Sequence, residues 1–192
     1  MPDGQRDVGC AQPSTHLGPG VCVQHLGPRP ALVLRVLAAD VTRAAMALRQ
    51  AGLDLPLAPN TVRLGGVRLL WTGLGEWLLT TLGERLPDGT AIAAALEDIP
   101  HLLAEVTDGR TVVTLSGDQA RTVLAKGCGL DLHPRAFTTG QCAQTLLARV
   151  PVLLFQTSDE PCFELFVDRS LAAYLRDWMA GAAAEFDGTA GA

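Results

Sequence analysis

The residues of this chain that could bind a metal are its cysteines and histidines. Cys10, His16, Cys22 and His25 could together supply two thiolates and two imidazoles to a zinc ion. Structural zinc usually takes close ligand pairs that span a tight turn, and only Cys22 and His25 have such spacing. These two lie three apart on a predicted strand, so their side chains face opposite sides. The pattern therefore favours a tail and an edge strand over a metal site.

Nucleophilic catalysis needs a serine or cysteine within reach of a histidine that a carboxylate orients. Asp131 and His133 lie two apart in a predicted connection, and Cys142 follows nearby in sequence. Because geometry and not closeness in sequence defines a triad, we interpret these residues as anchoring a loop. The five cysteines form no CxxC pair and are too few for a disulfide scaffold. We expect free thiols and assign no catalytic residue.

The glycine-rich segments do not have the pattern of a dinucleotide site. Gly65-Gly66 and Gly73-Leu-Gly75 lie between predicted strands, whereas such a site needs its glycine loop between a strand and a helix. No GxGxxG sequence occurs. We therefore expect the isolated chain to bind no flavin, NAD or metal.

The composition supports a folded core and excludes two classes of partner. Hydrophobic residues make up 48% of the chain, and 20 acidic against 15 basic side chains give a net charge of −5. Nucleic-acid binding needs concentrated positive charge, which is missing here. The N-terminus has no apolar signal-peptide region, and no uncharged apolar run reaches about 18 residues. We expect a soluble, cytoplasmic protein that binds neither nucleic acid nor membrane.

The elements that must position these residues form the order ββαβββα in each half of the chain. In the first half, Asp40 is predicted to cap a helix that Gly52 ends. In the second half, Asp108-Gly-Arg110 predicts a hairpin turn, and Asp118 is predicted to cap a helix. Asp168 or Ser170 is predicted to cap the final helix, whose apolar stripe is Leu171, Tyr174, Leu175, Trp178 and Met179. The predicted strands span residues 21–26, 31–37, 61–64, 67–72, 76–82, 104–107, 111–115, 141–149, 151–157 and 162–167, with a further helix at 90–99.

The two halves also match position by position, which indicates a duplicated unit. Residues 33–40 align with 112–118, and residues 52–56 align with 129–133, at the same offset to within one residue. The match predicts that Asp40 superposes on Asp118 and Asp54 on Asp131. We expect one domain at residues 21–186, built from pseudo-repeats at 21–100 and 101–182, between flexible tails at 1–20 and 187–192.

Several segments resemble known families. Residues 107–124 (TDGRTVVTLSGDQARTVL) resemble the strand–strand–helix opening of a repeat in the aminomethyltransferase-type folate-binding fold, and residues 73–80 (GLGEWLLT) resemble that fold's strand entry. Residues 124–137, 142–148 and 163–170 (LAKGCGLDLHPRAF, CAQTLLA and FELFVDRS) are similar to the gamma subunits of heterotetrameric sarcosine oxidase. The resemblance implies an α+β fold of two ββαβββα units that exchange their first strands.

That resemblance also implies a function. The family's enzyme demethylates sarcosine to glycine, reduces oxygen to hydrogen peroxide, and can pass the one-carbon unit to tetrahydrofolate. The implied partners are alpha, beta and delta subunits, and the other subunits of the complex are expected to hold FAD, FMN, NAD and tetrahydrofolate. The resemblance carries no catalytic residue over to this chain, so a structural role is implied.

Two alternatives share the same fold. One is a stand-alone folate-binding or one-carbon transfer protein. The other is an iron–sulfur-maintenance protein, because Lys126-Gly-Cys-Gly129 resembles the Lys-Gly-Cys-Tyr motif of that family. The likeness ends after these positions, since Gly129 replaces the tyrosine. We interpret Cys128 as a buried apolar thiol.

The candidate interface residues are Arg135 and Phe137. Charged residues make up 18% of the chain, against about 25% in a usual soluble domain, which favours a permanent partner. We expect an exposed apolar patch across residues 136–147, next to Arg135. The arginines Arg110, Arg121 and Arg149 are also of the type enriched at interfaces. The three tryptophans are interpreted as packing residues.

Overall fold

The computed structural model describes residues 15–16 and 20–186 of the 192-residue chain. Its strands are β1 (Thr15–His16), β2 (Cys22–Gly27), β3 (Ala31–Val36), β4 (Val62–Arg63), β5 (Val67–Gly73), β6 (Glu76–Thr81), β7 (His101–Glu105), β8 (Arg110–Ser116), β9 (Cys142–Leu147), β10 (Val150–Ser158) and β11 (Cys162–Asp168). Its α-helices are α1 (Val41–Gln50), α2 (Gly89–Ala95), α3 (Ala120–Ala125) and α4 (Ala172–Ala183). Both halves therefore have the predicted ββαβββα order.

The strands form two antiparallel sheets that exchange their first strands. A six-stranded sheet has the order β1-β2-β8-β11-β10-β9, and a five-stranded sheet has the order β4-β5-β6-β3-β7. Strand β2 comes from the first half but pairs with β8, while β7 comes from the second half and pairs with β3. The exchange and the α+β class are thus confirmed.

The hairpin predicted at Asp108-Gly-Arg110 is wrong. Thr107–Gly109 form a 3-10 turn that carries the chain from β7 in one sheet to β8 in the other. The side chain of Thr107 accepts a hydrogen bond from the backbone N–H of Ala31 over 3.2 Å, which fixes this crossing to the start of β3. A turn sequence alone does not determine which sheet the next strand joins.

The sheet orders support the duplicated unit. Reading each sheet from its outer strand, β4-β5-β6-β3-β7 corresponds to β9-β10-β11-β8-β2, position for position. Asp40 and Asp118 both precede the helix that follows the matching strands β3 and β8, and Asp54 and Asp131 both follow that helix. The superposition of these pairs remains a prediction, since only their topological equivalence is established.

Two of the three predicted helix caps differ from expectation. Asp40 makes no side-chain cap and instead accepts a hydrogen bond from Arg43 over 2.8 Å. Helix α3 begins after Gln119, also without a side-chain cap, so Asp118 is not its cap. Asp168 does cap, but its carboxylate accepts from Ser170 at the 3-10 turn before α4. Within the predicted stripe of α4, Leu175 and Met179 are buried, whereas Leu171 and Tyr174 are exposed.

Apolar side chains are buried in three layers. One layer lies between the six-stranded sheet and helices α3 and α4, and a second lies between the five-stranded sheet and helices α1 and α2. The third lies between the two sheets and includes Leu70, Leu78, Val112, Leu153 and Phe155. The central layer makes each half dependent on the other for burial.

The proposed tails fall mostly outside the described residues. Of residues 1–20, only Thr15, His16 and Gly20 are described, and Thr15–His16 pair with Val23 and Cys22. Residues 187–192 are not described at all. Across the described ranges, no helix is both long and apolar enough to cross a membrane.

Candidate functional site

Three charged side chains are buried together between the two sheets. Arg68 on β5 donates a hydrogen bond to Glu164 on β11 over 2.8 Å, and Arg29 from the β2–β3 connection donates to the other carboxylate oxygen. The exposed fractions of the three side chains are between 7% and 11%. The guanidinium of Arg68 also lies 5.5 Å from the centre of the Phe155 ring. Burial lowers the pKa of Arg29, and the charge of Glu164 partly opposes this.

This cluster is suited to holding the sheets together and not to chemistry. Both carboxylate oxygens of Glu164 accept hydrogen bonds from guanidinium groups, so neither is free to accept a proton from a substrate. On the neighbouring strand, Thr114 lies opposite Glu164, and its buried hydroxyl has no hydrogen-bond partner among the described residues. Sequence reasoning missed the cluster because Arg68 and Glu164 are 96 residues apart. The available signal was that strand alternation puts Glu164 on the opposite face from Phe163 and Leu165.

The five-stranded sheet has a charged pair at the equivalent position. The alignment of residues 33–40 with 112–118 puts Arg35 where the other sheet has Thr114, and Arg35 lies opposite Glu76 as Thr114 lies opposite Glu164. Arg35 and Glu76 form an ion pair over 2.7 Å, but the Arg35 side chain is 58% exposed. The row of residues that contains Glu164 is therefore buried with its arginine partners. The equivalent row of the five-stranded sheet, which contains Arg35 and Glu76, is partly exposed to solvent.

A cavity of about 250 Å³ lies at the end of the six-stranded sheet. It is lined by Arg110, Pro151, Leu153, Phe166, Asp168 and Leu171. The carboxylate of Asp168 accepts hydrogen bonds from the backbone N–H and the hydroxyl of Ser170, over 2.9 Å and 2.7 Å. These bonds hold the pKa of Asp168 below its ordinary value, and the charge of Arg110 adds to the effect. The cavity therefore combines apolar side chains with polar ones, since Gln144 and Thr145 also line it.

Two of the cysteines, Cys142 and Cys128, are buried. Cys142 is fully buried, and its thiol donates to the backbone carbonyl of Trp71 over 3.2 Å. Desolvation raises the pKa of Cys142 from 9.0 to about 12, although the Trp71 hydrogen bond opposes this. Cys128 is buried as expected, with its sulfur 3.6 Å from the hydroxyl of Thr145. A thiol reacts through its thiolate, whose formation burial suppresses at Cys142.

The Asp131–His133 segment is a loop anchor, as the sequence indicates. The Asp131 carboxylate accepts from the backbone N–H of His133 over 2.9 Å, and Nδ1 of His133 accepts from the backbone N–H of Arg135 over 3.2 Å. His133 is exposed, whereas Cys142 is buried between the sheets. The structure therefore does not assemble these residues as a triad.

The candidate metal and dinucleotide residues occupy other roles. His25 contacts the hydroxyl of Thr111 through Nε2 at 3.1 Å, and Cys22 lies at the start of β2. Cys10 is outside the described residues, within which no cluster of three or more His, Cys, Asp or Glu side chains is arranged to hold a metal. The segments Gly65-Gly66 and Gly73-Leu-Gly75 both connect strands, so neither fits the strand-to-helix phosphate loop of a flavin or NAD site.

The two candidate interface residues differ in exposure. Arg135 is exposed, but the side chain of Phe137 is only 6% exposed and stacks on Phe163 with ring centres 6.4 Å apart. Phe137 therefore belongs to the core of this chain, which corrects its placement on an exposed patch. A contact of Arg135 with a partner stays a prediction. Within the expected patch at residues 136–147, Leu146 is 55% exposed.

Arg121 and the three tryptophans make contacts within the chain. Arg121 donates to the backbone carbonyl of Leu132, to that of Phe137 over 3.2 Å and to the side chain of Gln156 over 2.8 Å. Arg121 thus connects the loop that contains Leu132 and Phe137 to Gln156 on β10. Desolvation lowers the pKa of Arg121. All three tryptophans pack against the core, as predicted, and Trp77 is the most buried of them.

Comparisons with known proteins agree with the fold. The chain is similar to the sarcosine oxidase gamma subunit of Corynebacterium sp. strain U-96, at 32% identity over 157 residues, 81% of this chain and 75% of that protein. It is 35% identical to the gamma subunit from strain P-1 over 125 residues, 63% of this chain, and this match spans only 59% of the relative's length.

Solved structures show the same relationship. A chain of the heterotetrameric sarcosine oxidase from Corynebacterium sp. U-96 matches with a TM-score of 0.78 and 30% identity, covering 90% of this chain and 88% of that one. Aminomethyltransferase T from Bartonella henselae matches with a TM-score of 0.61 and 15% identity, covering 86% and 47%, which shows a shared fold. The model of the sarcosine oxidase, gamma subunit family matches residues 35–185. This chain belongs to the sarcosine oxidase gamma subunit family.

Proposed function

We propose that this chain is a structural, non-catalytic subunit of a heterotetrameric sarcosine oxidase. The observation that carries the proposal is the family membership together with a fold whose polar groups are used internally. Glu164, Arg121 and Asp131 each bind another part of the same chain, and the Cys142 thiol is suppressed by burial. These groups are therefore engaged within the chain itself and are not free to act on a substrate.

The proposed complex oxidises the N-methyl group of sarcosine. Oxygen accepts two electrons and two protons and becomes hydrogen peroxide. Water then hydrolyses the oxidised methyl group and releases it as formaldehyde, or tetrahydrofolate accepts it and becomes 5,10-methylenetetrahydrofolate. The products include glycine. In this proposal alpha, beta and delta subunits complete the tetramer, and the other subunits hold FAD, FMN, NAD and tetrahydrofolate. The location is proposed to be the cytoplasm.

The test compares the isolated chain with the assembled oxidase. The purified chain should show no flavin absorbance and no sarcosine-dependent hydrogen peroxide, while the assembly that contains it should show both. Flavin bound at one equivalent by the isolated chain, or sarcosine turnover by it, would contradict the proposal.

A stand-alone folate-binding or one-carbon transfer protein is the alternative that shares this fold. Calorimetric titration of the isolated chain with 5-formyltetrahydrofolate separates the two. Heat from a one-to-one complex, without association with any flavoprotein, would favour the alternative. An iron–sulfur role would require a reactive Cys128, and alkylation of the folded chain followed by mass spectrometry tests that requirement.

A further inference from the structure

The two sheets have different residues at equivalent positions that border the inter-sheet layer. In one half, Arg68 reaches across from the five-stranded sheet to Glu164 of the six-stranded sheet. Leu153, Phe166 and Val112 form the row of the six-stranded sheet that matches Leu70, Leu78 and Val33 in the five-stranded sheet. Pro151 precedes Leu153 by two residues, as Arg68 precedes Leu70. Pro151 therefore occupies in the six-stranded sheet the position that Arg68 occupies in the five-stranded sheet.

The short side chain at position 151 leaves the end of the six-stranded sheet open. The cavity of about 250 Å³ lies against Pro151, Leu153 and Phe166. Leu146, which pairs with Pro151 across β9 and β10, is 55% exposed, and Leu171 is 36% exposed. We call Arg110, Leu146, Pro151, Asp168 and Leu171 the sheet-end surface. Exposed apolar groups around a cavity are typical of an interaction site.

The charges on the sheet-end surface are incompletely matched. Arg110 pairs in register with Asp168, but the Asp168 carboxylate is hydrogen-bonded to Ser170. The charge of Arg110 acts on Asp168, but its guanidinium makes no hydrogen bond within the described residues. A carboxylate from a bound partner would accept two parallel hydrogen bonds from Arg110, which is the bidentate geometry that arginine favours. Charge complementarity therefore points to an occupant that carries an acidic group beside an apolar one.

The size of the cavity favours a protein side chain over a small molecule. Pockets for small-molecule ligands usually occupy roughly 300–1,000 Å³ and bury most of the ligand. This cavity is smaller and open, and its apolar rim extends beyond it to Leu146, as a contact with a larger surface requires. The related chain with a TM-score of 0.78 is part of a heterotetramer. Other subunits of such a complex are therefore the expected partners.

We propose that a protruding segment of another subunit of the same oxidase docks on the sheet-end surface, with an apolar side chain in the cavity and a carboxylate on Arg110. This inference rests on the proposed function. It replaces the surface expected around Phe137, which is buried. Leu146 is the exposed apolar residue that the two surfaces share.

The test uses the full chain, tagged and co-expressed with the other subunits of the oxidase from the same organism. Pro151→Arg places a long cation at the cavity, at the position equivalent to that of Arg68. Leu146→Glu adds a charge at the exposed rim. Met46→Glu is the matched control, because Met46 is 63% exposed on α1, in the half that lacks the cavity. Circular dichroism of each isolated chain reports folding.

Pro151→Arg and Leu146→Glu should each reduce the co-purified subunits at least tenfold, while Met46→Glu should remain within twofold of wild type. Independently of any variant, hydrogen exchange at residues 145–153 should slow when the wild-type chain enters the complex. Wild-type co-purification by both variants, with unchanged exchange there, would overturn this docking surface and leave the proposed function standing. If the wild-type chain fails to co-purify, the proposed function itself fails. Loss of 5-formyltetrahydrofolate binding in Pro151→Arg with intact co-purification would instead identify a small-molecule occupant and overturn the inference.

Discussion

Arg68 and Glu164 join the two sheets through a buried hydrogen bond of 2.8 Å, although they come from opposite halves of a duplicated chain. The equivalent carboxylate in the other sheet, Glu76, pairs with Arg35 on its own neighbouring strand. The duplication has thus kept the carboxylate position but changed its partner. The Arg68–Glu164 pair is therefore buried, whereas the Arg35 side chain of the equivalent pair is 58% exposed.

Removal of the buried carboxylate should destabilise the protein far more than removal of its exposed counterpart. Glu164→Ala leaves two buried arginines without a partner, so the free energy of unfolding should fall by about 3–5 kcal/mol. Glu76→Ala removes an ion pair whose arginine is largely exposed, and should cost about 1 kcal/mol or less. Urea unfolding monitored by circular dichroism measures both. Equal losses for the two variants would show that the Arg68–Glu164 contact is not formed.

Gly127 should tolerate no side chain, although the nearby Gly129 should. A Cβ atom on Gly127 would lie 2.6 Å from the Trp178 ring, whereas Gly129 has no atom within 4 Å of such a position. Gly127→Ala should lower the free energy of unfolding by about 1–3 kcal/mol through overpacking, and Gly129→Ala should change it by less. Thermal unfolding of the two variants tests this, and a Gly127→Ala variant as stable as Gly129→Ala would contradict the packing described.

Cys142 should make stability decrease at alkaline pH. Its pKa is raised to about 12 in the folded protein, so the folded state favours the neutral thiol. This contribution is complete below pH 9.0 and decreases as pH rises towards the folded pKa. From pH 8 to pH 10, wild type should lose up to about 1.4 kcal/mol more free energy of unfolding than Cys142→Ala. Parallel curves for the two proteins would show that Cys142 titrates normally.

Ser170 should control the titration of Asp168. Its hydroxyl and backbone N–H lower the pKa of Asp168, so this carboxylate stabilises the fold above its ordinary pKa, and the effect is lost as pH falls through the folded value. Ser170→Ala should raise the pKa of Asp168 because the hydroxyl donor is gone. Ser170→Thr keeps that donor and should leave the pKa low. Carboxyl NMR titration distinguishes the variants, and an unshifted Asp168 in Ser170→Ala would contradict this account.

Sequence reasoning recovered the elements because their signals are local. Alternation and turn residues predicted the strands, and the aligned halves predicted the equivalence of Asp40 and Asp118. It failed at Asp108-Gly-Arg110, since Asp-Gly favours a turn whether the next strand returns to the same sheet or crosses to another. The exchange of first strands came only from the resemblance.

Long-range burial was the other limit. Phe137 follows a proline-containing loop and looked exposed, but it packs on Phe163 from a distant strand. Sequence reasoning assigned no role to Glu164 and Arg68, because a sheet covered on both faces hides polar residues that alternation alone would put in water. The aspartates before α1 and α3 showed the correct residue type at a helix start, but Asp40 pairs with Arg43 instead of capping.

Native mass spectrometry of the co-expressed oxidase tests the central claim most directly. The account predicts a complex in which one copy of this chain is bound to the other subunits, with every flavin mass assigned to those subunits when the complex is dissociated. A complete, sarcosine-oxidising complex that excludes this chain, with the chain found only as a free monomer, would contradict it.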